Sequence, residues 1–197
     1  QKLLFYGLTV LLGLISMIGF YLSGVFIFTR KSPRWFLRGI MPAQLLGFST
    51  SSSAATLPVT MECVNENLRV DNEISSFVLP VGATVNMDGT SLYQAVAAVF
   101  IAQALHIPLD FMGQLTIVLT ALLASIGSAA VPGAGMVMLV IVLESIGIPA
   151  DKLAIGLALI FAIDRPLDMC RTVVNLTGDA MVSVLVAKSM GKLGEHE

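Results

Sequence analysis

The stretch D-R-P-L-D-M-C-R-T-V-V-N-L-T-G-D, residues 164–179, decides the fold, because it carries charges inside a segment otherwise apolar enough to cross a membrane. At about 100° per residue, its polar side chains fall on a helix face roughly 100° wide. They are Asp164, Asp168, Arg171, Thr172, Asn175 and Asp179. A charge at the bilayer centre costs about 2.5 to 3.5 kcal/mol even on the lenient scale, so such residues face a protein interior, a water-filled cavity or an ion pathway. A structural ion-pair network is the alternative, but these side chains supply more oxygen ligands than one arginine needs.

The composition predicts an all-α polytopic membrane protein. The chain has 56% hydrophobic and only 12% charged residues, with a mean hydropathy of +0.87, whereas soluble domains carry about 25% charged residues. The two cysteines, Cys63 and Cys170, form no metal or disulfide pattern and are interpreted as packing residues. The sequence shows no footprint of nucleic-acid binding, and none is expected.

Basic residues predict the orientation. The apolar run 3–28 is long enough to span, and the cluster that follows it (Arg30, Lys31, Arg34 and Arg38) belongs on the cytoplasmic side. Lys188 and Lys192 place the C-terminus in the cytoplasm, and 106–110 and 144–152 are external loops. The run lacks the features of a signal peptide, so we expect an internal fragment of a longer protein of the plasma or inner membrane.

Two segments have apolar arms too short to cross a membrane, and each pair of arms meets at a polar or flexible tip. In the first, arms 36–48 and 56–64 flank S-T-S-S-S-A-A at 49–55; in the second, arms 115–123 and 136–146 flank A-S-I-G-S-A-A-V-P-G-A-G at 124–135. This pattern predicts two re-entrant helical hairpins, which are tolerated where their backbone is buried in protein or lines a cavity. The alternatives are a serine-rich surface loop and a kinked helix packed through small residues.

The string N-M-D-G-T, residues 86–90, lies between two apolar runs. Asn, Asp and Gly in succession predict a broken helix whose carbonyls, with the Asn86 amide and the Asp88 carboxylate, offer hard oxygen ligands. Such ligands suit alkali cations better than transition metals, and both histidines, His106 and His196, lie elsewhere. A tight turn between two short helices is the alternative.

The order is spanning helix (1–29), hairpin (34–70), broken helix (73–105), hairpin (111–147) and polar-faced helix (150–190), which outlines an inverted repeat about N-M-D-G-T. Interrupted segments at corresponding positions of two halves indicate a transporter's midplane site. The motifs at 51–58, 79–90, 124–135 and 168–179 resemble, in order, the signatures of the dicarboxylate/amino acid:cation symporters, the glutamate transporter family. The resemblance covers essentially the whole chain and implies the C-terminal half of such a transporter, a single transport-domain fragment, of the prokaryotic type.

The resemblance implies which residues bind substrate. Asp168 is expected to bind the α-amino group, Arg171 the side-chain carboxylate and Asn175 the α-carboxylate. A planar guanidinium can grip a carboxylate bidentately. The remaining expected contacts come from hydroxyls and from the two tips: Thr90, Thr172, Ser53, Ala130, Val131 and Gly135. Arg171 favours glutamate or aspartate over neutral amino acids, and Asp168 favours an amino acid over a C4-dicarboxylate.

The resemblance also implies sodium as the co-transported ion. One site would use Asp179 and Asn86 with the carbonyls of Gly82 and Asn175. A second would use carbonyls of Thr84, Ser125, Ile126 and Ser128 beside the Met87 thioether. A third would draw on Asn86 and Asp88, completed by residues upstream of this chain.

Some positions depart from the family pattern. Ser51 stands where some prokaryotic relatives have an arginine, and Met169 where animal relatives have one, which leaves Arg165 as the nearest candidate for that charge. Ser128 and Ala130 replace a commoner threonine and glycine, from which we expect only modest changes in affinity.

We expect sodium-coupled uptake of L-glutamate or L-aspartate by an elevator-type motion, in a homotrimer surrounded by membrane lipid. The alternatives are a proton-coupled, C4-dicarboxylate or neutral amino acid symporter of the same family, and an ion channel with re-entrant loops. An enzyme is not expected, because no nucleophile and base pair is apparent.

Overall fold

The computed structural model describes residues 2–194 and shows an all-α chain; residue 1 and residues 195–197, which include His196, lie outside the described residues. A single π-helical turn, Cys63–Asn67, interrupts the α-helical pattern between the third and fourth helices. The α-helices are α1 Lys2–Thr29, α2 Pro33–Thr50, α3 Ser53–Glu62, α4 Asn72–Val85, α5 Asp88–Ala104, α6 Phe111–Ile126, α7 Ala134–Ser145 and α8 Ala150–Ser189.

Helix α1 is the one described helix that is both long and apolar enough to cross a membrane. Its 28 residues correspond to about 42 Å at 1.5 Å per residue, and large apolar side chains such as Leu4, Phe20 and Phe28 point away from the protein. Its buried side packs chiefly on α8, α5 and α2. Helices α6 and α7 are apolar but shorter. The other membrane-crossing segments of the predicted multi-pass topology therefore remain a prediction.

Helices α2 and α3 pack against each other and are joined by only Ser51 and Ser52. Ser51 adopts a left-handed conformation, with φ of 54°, and its N–H donates to the Gly47 carbonyl. The Ser52 hydroxyl accepts from the Ala55 N–H and so caps α3. This cap lets the next residues join the helix, so the turn is shorter than the predicted tip 49–55. We call residues 51–52 the first tip.

Helices α6 and α7 form a second packed pair, joined by residues 127–133, which we call the second tip. Gly133, the N-cap residue just before α7, has a φ of 78°, a left-handed conformation that glycine adopts without steric cost. The predicted tip, 124–135, is again longer than the observed one. Whether either pair is re-entrant in a membrane stays a prediction.

The break between α4 and α5 falls at Asn86 and Met87. Asp88, Gly89 and Thr90 already belong to α5, where Asp88 lies in the first turn. An acidic side chain is favourable there because the N-terminal end of a helix carries a partial positive charge. The break therefore occupies two residues of the five-residue motif.

Helix α8 is central to the fold: it packs on α1, α2, α4 and α5. From Asp164 to Ala180 most of its residues are buried, including all six members of the polar stripe. Pro166 lies inside the helix without ending it. Close approach of α2 to α8 depends on Gly47, because a Cβ there would lie 2.3 Å from Leu176 Cδ2.

The end of the described chain returns to the segment before α4. Val70 pairs with Leu193 as an isolated bridge, and the Gly194 N–H donates to the Arg69 carbonyl. The Lys192 amine donates to the Glu73 carboxylate. That hydrogen bond, together with the charges of Glu73 and Asp71, raises the pKa of the Lys192 amine.

Candidate functional site

The two tips, the start of α5 and the middle of α8 surround one small polar cavity. Its volume is about 20 Å³, which is room for about one water molecule. Eight of the nine predicted substrate residues line it, and the ninth, Arg171, bonds Asp168, which is one of the lining residues. The lining residues are Ser51, Ser53, Met87, Thr90, Ser128, Ala129, Ala130, Val131, Ala134, Gly135, Asp168, Thr172 and Asn175.

Arg171 is 1% exposed and is held by three groups. Its Nη2 donates to Asp168 Oδ1 at 2.5 Å and its Nη1 to Asp164 Oδ1 at 3.4 Å. The guanidinium carbon lies 3.7 Å from the centre of the Tyr93 ring, a cation–π contact. Within residues 2–194, its Nε–H has no hydrogen-bond partner. A buried charge of this kind persists only when it is paired, so the two aspartates and the ring together account for its position.

The tips close the cavity by contacting each other and α8. The Gly133 N–H donates to Asp168 Oδ2 at 3.0 Å, and the Ser52 hydroxyl donates to the Ala130 carbonyl at 2.7 Å. Asp168 therefore bonds the second tip through one oxygen and Arg171 through the other. The position of the Asp168 carboxylate is therefore fixed by both Arg171 and the second tip.

Gly135 lets the second hairpin approach Arg171. A Cβ there would lie 3.3 Å from both Arg171 Cζ and Nη2 and 3.1 Å from Thr90 Cγ2. The Gly135 carbonyl accepts from Gln94 Nε2 at 3.1 Å. Any larger side chain would therefore press on the arginine and on α5.

Asn175 and Thr172 complete the polar floor of the cavity. Asn175 Oδ1 accepts from the Gly89 N–H at 2.8 Å, and its Nδ2 reaches Thr90 Oγ1 at 3.2 Å and Met87 Sδ at 3.3 Å. The Thr172 hydroxyl donates to the carbonyl of Asp168. Asn175 thus connects α8 to the start of α5 immediately after the helix break.

The residues predicted for the first sodium site come together. Asn86 Nδ2 donates to Asp179 Oδ1 at 2.8 Å and to the Asn175 carbonyl at 3.4 Å. A Cβ on Gly82 would lie 2.5 Å from Asp179 Oδ1, and one on Gly178 would lie 2.7 Å from Asn86 Nδ2. Carboxylate, carbonyl and amide oxygens are the ligands that hard cations prefer. The two glycines leave space for Asp179 and Asn86 to meet, and the nitrogen of the Asn86 amide, not its oxygen, faces Asp179.

Asp88, predicted for the third site, makes a contact that the sequence did not indicate. Its Oδ2 accepts from the Tyr21 hydroxyl of α1 at 2.6 Å. The same hydroxyl would lie 3.2 Å from a Cβ on Gly178, so Tyr21 lies between Asp88 and the Asp179 region. Asp88 and Asn86 are both half-buried.

The second predicted sodium site is assembled only in part. Met87 and Ser128 line the same cavity, and the Ser125 carbonyl accepts from the Ser128 N–H. Thr84 and Ile126 are exposed, although α4 and α6 do touch. Across residues 2–194, no three His, Cys, Asp or Glu side chains gather as metal ligands.

Several site residues were missed from sequence. Tyr21, Tyr93 and Gln94 reach the site from α1 and α5, yet each reads in sequence as an ordinary residue of an apolar helix. The N–H of Gly133 carried no signal beyond that of a helix-breaking glycine. For Arg165, the structure places Nη1 3.8 Å from Asp168 Oδ2, with the arginine side chain 56% exposed. Arg165 thus approaches the site from its rim.

Comparison with known proteins gives the family. The sodium:dicarboxylate symporter family matches residues 1–189. Excitatory amino acid transporter 5 of Homo sapiens is 50% identical over 188 residues, covering 95% of this chain and 33% of that protein. An excitatory amino acid transporter of Caenorhabditis elegans is 48% identical over 200 residues, covering 100% and 39%. Excitatory amino acid transporter 2 of Homo sapiens is 46% identical over 187 residues, covering 94% and 32%.

The chain therefore spans about a third of the length of the curated relatives it matches. These relatives are animal proteins, and the prokaryotic type stays a prediction. The family is one of integral membrane symporters rather than enzymes, in agreement with the sequence analysis. With the match extending over nearly all of the described residues, this chain belongs to the sodium:dicarboxylate symporter family.

Proposed function

We propose that this chain forms the substrate- and ion-binding part of a symporter that couples uptake of L-glutamate or L-aspartate to sodium. One observation carries the proposal: a fully buried Arg171 lies beside Asp168 at a polar cavity enclosed by two helix tips. An acidic amino acid carries two carboxylates and one ammonium group, which this set of charges complements. The names of the relatives, excitatory amino acid transporters, support the same class of substrate.

Substrate binding would proceed by an exchange of partners. Arg171 would leave Asp168 and bind the side-chain carboxylate, while Asp168 would accept from the α-amino group and Asn175 would bind the α-carboxylate. Arg171 can donate further hydrogen bonds, because its Nε–H is unpaired within the described residues. Its planar guanidinium can also bind a carboxylate through two parallel N–H donors. Arg171 and Asp168 would each have a charged partner before and after the exchange, which limits the desolvation cost of burying the substrate.

Admission of substrate requires the tips to move. A cavity of about 20 Å³ holds about one water molecule, far less than an amino acid occupies. The bonds from Ser52 to Ala130 and from Gly133 to Asp168 close the two tips over it. We assign the second tip as the outer gate, because its bond to Asp168 would have to open before a substrate could enter the cavity.

Sodium would bind where Asn86 bridges Asp179 and the Asn175 carbonyl. If the Asn86 amide rotated, its Oδ1 would take the place of its Nδ2. The ion would then meet oxygens from Asn86, Asp179 and the Asn175 carbonyl. Because Asn175 also contacts the start of α5 and lines the substrate cavity, one residue joins both sites. Ion and substrate occupancy would thus favour the same arrangement of α8 and α5. For the second ion we propose Thr84, Met87, Ser125, Ile126 and Ser128, and for the third Asn86 and Asp88.

The whole transporter is proposed to work as a homotrimer in the plasma or inner membrane, with an elevator-like motion of the domain formed by this chain. In this topology α1 spans the membrane, the pairs α2–α3 and α6–α7 are re-entrant, and the C-terminus is cytoplasmic. A proton-coupled, C4-dicarboxylate or neutral amino acid symporter is the alternative within the family. An ion channel would leave the buried Arg171 beside cation ligands unexplained.

Uptake of labelled L-aspartate into liposomes containing the full-length protein tests the proposal. An inward sodium gradient should drive accumulation, and an equal potassium gradient should not. Uptake that follows a proton gradient and ignores sodium would support the proton-coupled alternative. Absence of uptake with a sodium current that needs no amino acid would support the channel.

A further inference from the structure

A basic surface lies immediately after α1, where the chain turns into α2. Two adjoining cavities open there, with volumes of about 560 and 580 Å³. Trp35 and Asn67 line both of them. We call this surface the basic rim, defined by Lys31, Arg34, Trp35, Arg38, Asn67 and Arg69.

The charged side chains described at the basic rim are all positively charged. Four cationic side chains line the two cavities, and no acidic side chain lines either of them within the described residues. Lys192 donates to Glu73 and Arg69 also has a partner, so we assign the attraction for an anion to Lys31, Arg34 and Arg38. Arg34 and Arg38 are one helical turn apart, both exposed and on the same face of α2.

The start of α2 adds to the attraction for anions. Ser32 caps this helix by accepting from the Trp35 N–H, and both residues line the second cavity. The N-terminal end of a helix carries a partial positive charge. The cationic side chains and the helix end therefore act in the same direction.

The basic rim also lies at a membrane boundary, because it follows directly on α1, the one helix among the described residues that is long and apolar enough to span. Trp35 is half-buried, and the Lys31 amine lies 5.8 Å from the centre of its ring. Tryptophan concentrates at the level of lipid headgroups. Basic residues directly beside a spanning helix are attracted to anionic lipids.

We propose that the basic rim binds the headgroup of an anionic phospholipid. The phosphate would lie between Arg34 and Arg38, with the acyl chains running along the apolar outer surface of α1. A soluble anion is a poorer fit, since the cations are exposed and spread over two open cavities at the edge of a spanning helix. The inference does not depend on which substrate the transporter carries.

Trp35 is the single tryptophan of this chain and provides the probe. The full-length protein is reconstituted in nanodiscs of phosphatidylcholine with increasing mole fractions of brominated phosphatidylserine, whose bromines quench nearby tryptophan fluorescence. A parallel series uses brominated phosphatidylcholine. Each protein is measured beside its Trp35→Phe counterpart, so that the difference reports Trp35 alone.

The proposal predicts that brominated phosphatidylserine quenches Trp35 more strongly than brominated phosphatidylcholine does. This difference should decrease as the salt concentration is raised, because salt screens the attraction between charges. The double variant Arg34→Gln/Arg38→Gln should lower the apparent affinity for the serine lipid by about 30-fold, from a factor of about five per basic residue. Arg34→Lys/Arg38→Lys should retain most of it. The control Lys2→Gln/Lys152→Gln removes the same charge from the starts of α1 and α8 and should change little.

Three results would overturn the proposal. Equal quenching by the two lipids would show no preference for the anionic headgroup. An equal loss in the control variant would show an effect of net charge alone. If inorganic phosphate abolished the preference for the serine lipid at constant ionic strength, the rim would be a site for soluble anions.

Discussion

Gly82→Ala tests the arrangement of the proposed first sodium site. A Cβ added at Gly82 would lie 2.5 Å from Asp179 Oδ1, 2.8 Å from its Cγ and 3.3 Å from its Cβ. Carbon atoms pack best at about 3.5 to 4.0 Å, so α4 or the carboxylate must shift by about 1 Å. Asp179 is buried and already bonded to Asn86, which leaves it little freedom to give way.

Overpacking of this size typically costs about 1 to 3 kcal/mol. Because the shift falls on a proposed sodium ligand, we expect it to weaken sodium binding, and about 1.4 kcal/mol corresponds to a factor of ten. The assay is binding of labelled aspartate to the full-length protein over a sodium titration. The half-saturating sodium concentration should rise about tenfold or more, while binding at saturating sodium is largely retained.

Gly19→Ala and Gly24→Ala are matched controls, since both glycines lie in α1 and a Cβ at either position meets nothing within 4 Å. They should leave the sodium dependence unchanged. The reasoning is refuted if Gly82→Ala folds normally and keeps the sodium dependence of these controls, because Asp179 could then move freely without affecting the ion.

Three other substitutions test separate parts of the site. Arg171→Ala should weaken acidic-substrate binding by about 2 kcal/mol or more, because a buried carboxylate loses its charge-assisted partner; competition assays should show a far smaller loss for serine, and equal losses would mark the arginine as structural. Asp179→Asn removes the charge that offsets cation desolvation, so half-saturating sodium should rise while binding at saturating sodium partly persists. Ser52→Ala removes a cap and the bond to the second tip, each worth about 1 kcal/mol; hydrogen exchange at 127–133 should accelerate, whereas Ser32→Ala removes only a cap and should leave those residues unchanged.

The sequence was sufficient to predict the polar face of α8. The 3.6-residue period of the helix places four polar residues on one face, and apolar residues occupy the other faces. These four residues are Asp164, Asp168, Arg171 and Asn175. Because exposing charges to lipid is costly, this polar face is expected to be buried in protein. All four residues are buried in the structure. Helix-breaking residues likewise predicted where the chain is interrupted.

The exact tips and the distant partners could not be predicted in the same way. The predicted first tip was too long because the Ser52 cap brings its neighbours into α3, a choice that depends on backbone geometry. Tyr21 and Asp88 are 67 residues apart, and Tyr93 meets Arg171 through the packing of α5 on α8. No local pattern encodes such pairings.

The central claim is that sodium and an acidic amino acid bind to coupled sites joined by Asn175. Binding of labelled aspartate to the full-length protein, titrated at several fixed sodium concentrations, tests it most directly. Linkage requires each ligand to raise the affinity for the other by the same factor, so the aspartate dissociation constant should fall steeply as sodium rises. A dissociation constant that stays the same at every sodium concentration would contradict the account.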